Sequence, residues 1–155
     1  MPHHGSRNGP QHSECIGADE MTYDKPLPVT TDGSQPFWDG CKRHELTIQE
    51  CTVCGHRRWP IGPACTECLS TEAKWVILPG TGEVWSWIVY HQSFNATWAP
   101  QLPYNVALIR VDGAHTMISN LVDIDPDQIR VGQKVEVVFD DVTEDFSIPK
   151  FRVVG

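Results

Sequence analysis

Short runs rich in β-branched and aromatic residues, broken by glycine and proline, dominate the chain after residue 79. They are Glu83–Gln92 (EVWSWIVYHQ), Tyr104–Val111 (YNVALIRV), Thr116–Val122 (TMISNLV), Lys134–Val142 (KVEVVFDDV) and Ser147–Val154 (SIPKFRVV). Such side chains fit a pleated, half-buried surface, so each run predicts a strand. Pro79–Gly82 and Asp112–Gly113 read as turns, and Pro126–Ile129 as one helical turn. Five strands with a small insertion after the third predict a five-stranded Greek-key barrel, the OB-fold, over residues 79–155. An immunoglobulin-like sandwich would need about seven.

The pattern is shorter-ranged upstream. Leu46–Glu50 alternates as a strand, Arg57–Ile61 returns from it, and Ala73–Leu78 supplies a third. Ser34-Gln-Pro36-Phe37-Trp38-Asp39 reads as a helix start, with a serine cap and proline in the first turn. Phe37, Trp38 and Cys41 fall on one side of that helix and predict a hydrophobic anchor, on this chain or on a partner. Residues 1–33 are Gly-, Pro-, Ser-, His- and Asp-rich and read as a flexible tail, in which Cys15 and the scattered His3, His4 and His12 make no site. The expected organisation is a tail (1–33), a helix with a small β unit (34–78) and a barrel (79–155). The fold class is mainly β.

The small β unit carries Cys51-x-x-Cys54 and Cys65-x-x-Cys68, with residues 55–64 between the pairs. Each CxxC turns two thiolates toward one ion, and two such turns close a tetrahedron at about 2.3 Å per Zn–S bond. Gly55 suits the knuckle because the chain after the second thiolate needs positive φ. The spacer is below the roughly 15–20 residues of the generic zinc pattern and leaves room for one short hairpin. Two disulfides would suit a secreted domain, but no signal peptide is read before them. A redox CxxC comes once, at a helix start. Iron in the same cage stays open, because ligand softness does not separate it from zinc. Four sulfurs leave no position for a catalytic water, so Cys51, Cys54, Cys65 and Cys68 predict a structural zinc ribbon.

Twenty Asp and Glu against twelve Lys and Arg give a net charge of −8. That balance opposes general binding to a polyphosphate, and no apolar run approaches the ~18 residues of a membrane span. The chain is expected to be cytoplasmic. Single-stranded nucleic-acid binding is the alternative for an OB barrel with exposed aromatics, but the basic residues, Lys42-Arg43 and Arg57-Arg58, form no stripe. No nucleophile elbow or phosphate loop is present, and His44, His56, His91 and His115 are dispersed in sequence. Between the first two barrel strands, a long aromatic loop with His91, Phe94, Trp98 and Tyr104 predicts a binding surface.

Taken in order, Pro36-Phe37-Trp38, the two cysteine pairs, Gly80-Thr-Gly-Glu-Val84, Trp85-Ser-Trp87, His91, Pro103–Leu108, Ser119–Val122, Val135–Phe139 and Pro149–Arg152 resemble a known family. These are the zinc-ribbon and OB-fold proteins that accompany acyl-CoA enzymes, long catalogued as a domain of unknown function. The resemblance covers roughly residues 34–155. It implies a rubredoxin-like ribbon, a structural Zn²⁺, and a non-catalytic subunit in a hetero-oligomer with a thiolase-superfamily large subunit. A CoA thioester would be shared with that partner. A retro-aldolase partner acting on a β-hydroxyacyl-CoA is the alternative. Phe37, Trp38 and the 91–104 loop would then bury against the partner, and His56, Arg57 and Arg58 would be candidates for the phosphates of CoA, since a guanidinium pairs bidentately with phosphate.

Overall fold

The ribbon β1 (Thr47–Cys51), β2 (Arg57–Arg58) and β3 (Ala73–Ile77) forms one sheet in the order β2-β1-β3. It is preceded by α1 (Gln35–Lys42). This is a computed structural model that describes residues 23–155; the expectations for Cys15, His3, His4, His12 and the first 22 residues lie outside them. Residues 23–30 carry no helix or strand, yet they lie on the barrel side: the Lys25 ammonium sits 5.0 Å from the centroid of the Trp98 ring.

Helix α1 starts where the proline places it, but not by the expected cap. The Ser34 hydroxyl accepts from the Thr31 N–H at 2.9 Å and makes no bond into the helix. The helix ends at His44, whose φ of 60° turns the chain out. Gly40 lets the helix press on β1, because a Cβ there would lie 2.7 Å from Thr47 Oγ1.

The second sheet contains six strands in the order β6-β5-β4-β8-β9-β7. They are β4 (Thr81–Tyr90), β5 (Tyr104–Val111), β6 (Thr116–Ser119), β7 (Leu121–Val122), β8 (Lys134–Asp141) and β9 (Ser147–Val153). Five strands were expected, and the third is split at Asn120. The cause is Asn105 on β5, whose carboxamide stands in for a strand. It donates to the Leu121 carbonyl at 2.8 Å and accepts from the Leu121 N–H at 2.7 Å. Released from β5, β7 pairs parallel with β9 (Leu121 with Phe151), which closes the barrel.

At the corner where β4 leaves the ribbon, β4 passes close to β5: a Cβ on Gly82 would stand 2.4 Å from the Arg110 carbonyl oxygen. The β4–β5 register slips between Val84 and Ser86, which turns Trp85 outward beneath Arg110, 3.6 Å from its ring centroid.

One apolar cluster joins the three parts. Phe37 and Cys41 from α1 and Leu46, Ile48 and Leu78 from the ribbon pack continuously with Val84, Ile109, Val135 and Phe151 of the barrel. The ribbon therefore leans on a core it shares. Arg57 bolts the same face down, donating to the Gly113 carbonyl at 2.7 Å.

Candidate functional site

The two CxxC turns are near copies of each other. Gly55 N–H donates to the Cys51 carbonyl and Leu69 N–H to the Cys65 carbonyl, both at 2.9 Å. Gly55 has φ 74° and Leu69 φ 61°, so the left-handed residue expected after each second cysteine occurs twice. Turned this way, the N–H groups of each knuckle point at its first sulfur.

All four sulfurs lie within 4.8 Å of one another. Cys51 Sγ is 3.6 Å from Cys68 Sγ, and Cys54 Sγ is 3.5 Å from Cys65 Sγ. Four sulfurs around one zinc at about 2.3 Å stand about 3.8 Å apart, so this spacing suits a tetrahedral thiolate centre. A disulfide would need about 2.05 Å. Without a cation the four sulfurs would not ionise together. The Cys54 N–H, aided by the Val53 N–H and neighbouring sulfurs, outweighs burial and brings the Cys51 thiol down to about 6. At Cys54 the His56 N–H favours the thiolate, yet the sulfurs of Cys68, Cys65 and Cys51 and burial together push it up to about 12. Four thiolates in contact need a cation between them, and the chain is placed to bind a metal ion there.

A second feature gathers residues distant in sequence. A cavity of about 540 Å³ is lined by Phe37, Trp38, Phe94, Trp98 and Tyr104, five of the six residues expected to meet a partner or ligand. Trp59 of the ribbon and Tyr90, Ile118 and Ile148 of the barrel complete its aromatic and aliphatic wall. The sixth, His91, is exposed and is not among the lining residues. Tyr90 and Tyr104 face each other across β4 and β5 and stack at 5.1 Å, and Trp98 packs on Tyr104 at 5.2 Å. Phe94 is 91% exposed, and Ile88 and Ile118 are also exposed.

Phe37 is an internal anchor. Only 2% exposed, it packs on Trp59 at 4.7 Å and on Trp38 at 5.0 Å, so its ring is taken up by this chain. Trp38, against Phe146 at 5.8 Å, stays partly open. Sequence reading missed Trp59, Tyr90 and Ile118. The usable signal was the even-numbered face of β5 (Tyr104, Val106, Leu108), whose apolar side chains point away from the barrel interior.

The expected CoA-phosphate trio is dispersed by the fold. Arg57 Nε pairs with Glu50 at 2.8 Å, and Arg58 is buried with its Nε on Gln49 at 2.7 Å. Arg57 and His56 both stay partly exposed, and the His56 ring lies 5.2 Å from that of His115, so these two histidines are not dispersed in space. Lys42 and Arg43 pair with Asp145 and Glu45, which neutralises the basic concentration that nucleic-acid binding would need.

Asp141 receives both the Ser147 hydroxyl and His44 Nε2, the latter at 2.8 Å. Both meet the same oxygen, Oδ1, so the imidazole is not placed to take the serine proton and the trio does not activate a nucleophile. Among the described residues no helix is long and apolar enough to cross a membrane.

The chain matches two family descriptions: the rubredoxin-like zinc ribbon domain of ChsH2 over residues 38–72 and its C-terminal OB-fold domain over residues 75–140. It is 32% identical over 128 residues to a probable enoyl-CoA hydratase alpha subunit of Thermomonospora curvata, covering 83% of this chain and 40% of that protein. The chain thus spans well under half of that relative. It is 30% identical over 105 residues to a DUF35 domain-containing scaffold protein of Methanothermobacter thermautotrophicus, covering 67% and 78%. A solved structure described as an Ltp2-ChsH2(DUF35) aldolase superposes with a TM-score of 0.75 at 32% identity, over 82% of this chain and 98% of that one.

Proposed function

Because the chain belongs to the ChsH2 (DUF35) family of zinc-ribbon and OB-fold proteins, we propose that it is the non-catalytic, zinc-holding subunit of a hetero-oligomeric enzyme acting on acyl-CoA thioesters. Cys51, Cys54, Cys65 and Cys68 would hold Zn²⁺, whose contribution is to fix the ribbon hairpin. Chemistry resides on a thiolase-superfamily large subunit, and this chain helps wall the acyl-CoA channel. The observation that carries the reading is the convergence of Trp38, Phe94, Trp98 and Tyr104 on one apolar cavity beside exposed Ile88 and Ile118. Aromatic surface of this kind is enriched in interface cores and costs free energy if left in water.

The likeness to an aldolase complex favours one variant, in which the partner performs a retro-aldol cleavage of a β-hydroxyacyl-CoA. The test is co-expression with a thiolase-superfamily protein encoded alongside it, followed by co-purification and assays of each chain alone and together. A stable complex active only when both chains are present supports the reading. CoA-dependent cleavage then marks a thiolase, and cleavage without added CoA marks an aldolase. Phe94→Ala and Trp98→Ala should each weaken the complex by about five-fold or more, as for interface anchors, while leaving the free chain folded. Turnover by this chain alone, or failure of every such pair to associate, would overturn the proposal.

A further inference from the structure

Arg58 brings into the ribbon a guanidinium that pairs with no described carboxylate. It sits opposite Gln49 in the β1–β2 register and is 4% exposed. Its Nε donates to Gln49 Oε1, an oxygen that also accepts from the Gly62 N–H at 3.3 Å. One terminal guanidinium nitrogen, Nη1, is buried with no acceptor. The neighbouring cations are paired: Arg57 and Lys74 with Glu50, Lys42 with Asp145, Arg43 with Glu45. An arginine cannot relieve burial by losing its proton, so a buried, unpaired guanidinium is costly until an anion reaches it.

The side chain lines a cavity of about 410 Å³ between the ribbon and the start of α1. Among the described residues its lining contains no Asp or Glu. Ser34, Gln49 and Thr71 supply polar groups and Trp75 and Ile61 an apolar wall. The first turn of α1, next to Ser34 on the rim, adds no acidic residue. The volume lies in the range of small-molecule sites, and its lining shares no residue with the aromatic cavity.

We propose that this cavity binds a small organic anion, its carboxylate or phosphate meeting Arg58 and its apolar body lying against Trp75 and Ile61. The inference stands independently of the accessory-subunit reading. The test titrates the zinc-loaded full chain with benzoate, phenyl phosphate and inorganic phosphate at constant ionic strength in chloride. Calorimetry and the ¹⁵N resonance of Arg58 Nε are followed together. Expected is saturable one-to-one binding of benzoate or phenyl phosphate, tighter than inorganic phosphate, with the Arg58 resonance displaced; the two aromatic probes identify the headgroup.

Arg58→Gln should weaken binding roughly ten- to hundred-fold, the scale of a charged hydrogen bond. If that variant does not fold, Thr71→Glu decides: a carboxylate at the rim should pair with Arg58, raise the melting temperature and abolish binding. Absence of saturable binding by all three probes, an unmoved Arg58 resonance, or unchanged affinity in Thr71→Glu would each overturn the assignment.

Discussion

Replacing Asn105 by leucine removes the carboxamide around which β6 and β7 divide, while keeping a side chain of similar size. Asn105 is 7% exposed, and its two bonds to Leu121 satisfy both backbone groups of that residue. Losing two such bonds forfeits roughly 1–3 kcal/mol, and leaving the Leu121 N–H and carbonyl short of partners adds roughly 1–3 kcal/mol for each group that stays buried. Partial relaxation and water entry offset some of this, so about 2–5 kcal/mol is expected against a total stability of about 5–15 kcal/mol. In a chain of this length that lowers the melting temperature by roughly 4–20 °C.

Thermal melts supply the total, and amide exchange at Leu121 and Val122 locates it. Asn105→Asp sharpens the test. Its ionised carboxylate would keep the bond from Leu121 N–H but face the Leu121 carbonyl oxygen, which together with burial raises the folded-state pKa above the unfolded value of about 3.9. A raised folded pKa means stability is lost as pH rises through it and is fully present only below the unfolded value. The aspartate variant should therefore recover part of its deficit on acidification, whereas the leucine variant should not. If Asn105→Leu melts within about 2 °C of the parent and Leu121 stays protected, the carboxamide does not hold the barrel closed.

Three further outcomes are expected. Metal analysis should find one zinc per chain, and a chelator or Cys51→Ser should unprotect the amides of Gly55 and Leu69 while barrel amides remain protected, because Leu46 and Ile48 belong to the shared core; equal protection with and without metal would refute the structural role. Leu69→Gly should raise the melting temperature by roughly 2–4 °C, since Leu69 is 78% exposed at φ 61° and glycine removes about 1 kcal/mol of left-handed strain without loss of packing. The hydrogen bond from Arg57 first, and then that from Lys74, hold the Glu50 carboxyl below the usual range. A depressed folded pKa contributes stability above the unfolded value of about 4.3 that is lost as pH falls through the folded one; the gap between parent and Glu50→Gln in urea melts should be open at pH 7 and close on acidification below about pH 4, and a gap that ignores pH would count against the ion pair.

The features readable from the chain before folding are local. Cysteine spacing, Gly55 and the runs of β-branched residues specify knuckles and strands through turn geometry and a two-residue period, which need no distant partner. Ribbon and barrel were therefore legible, with β5 predicted over the same span it occupies, Tyr104–Val111. Whatever depends on which surfaces meet was set only on folding. The split at Asn120 arises from a side chain fifteen residues upstream, and no propensity encodes that exchange of partners. Phe37 and Trp38 are adjacent in sequence, yet the packing of α1 sends one into the core and leaves the other at the cavity rim. Arg57 and Arg58 look alike as a dipeptide, but alternation along β2 turns one toward the barrel and Glu50 and the other under α1 with Gln49. A strand's two faces are equivalent until a neighbour covers one of them, and that choice is made by the fold as a whole.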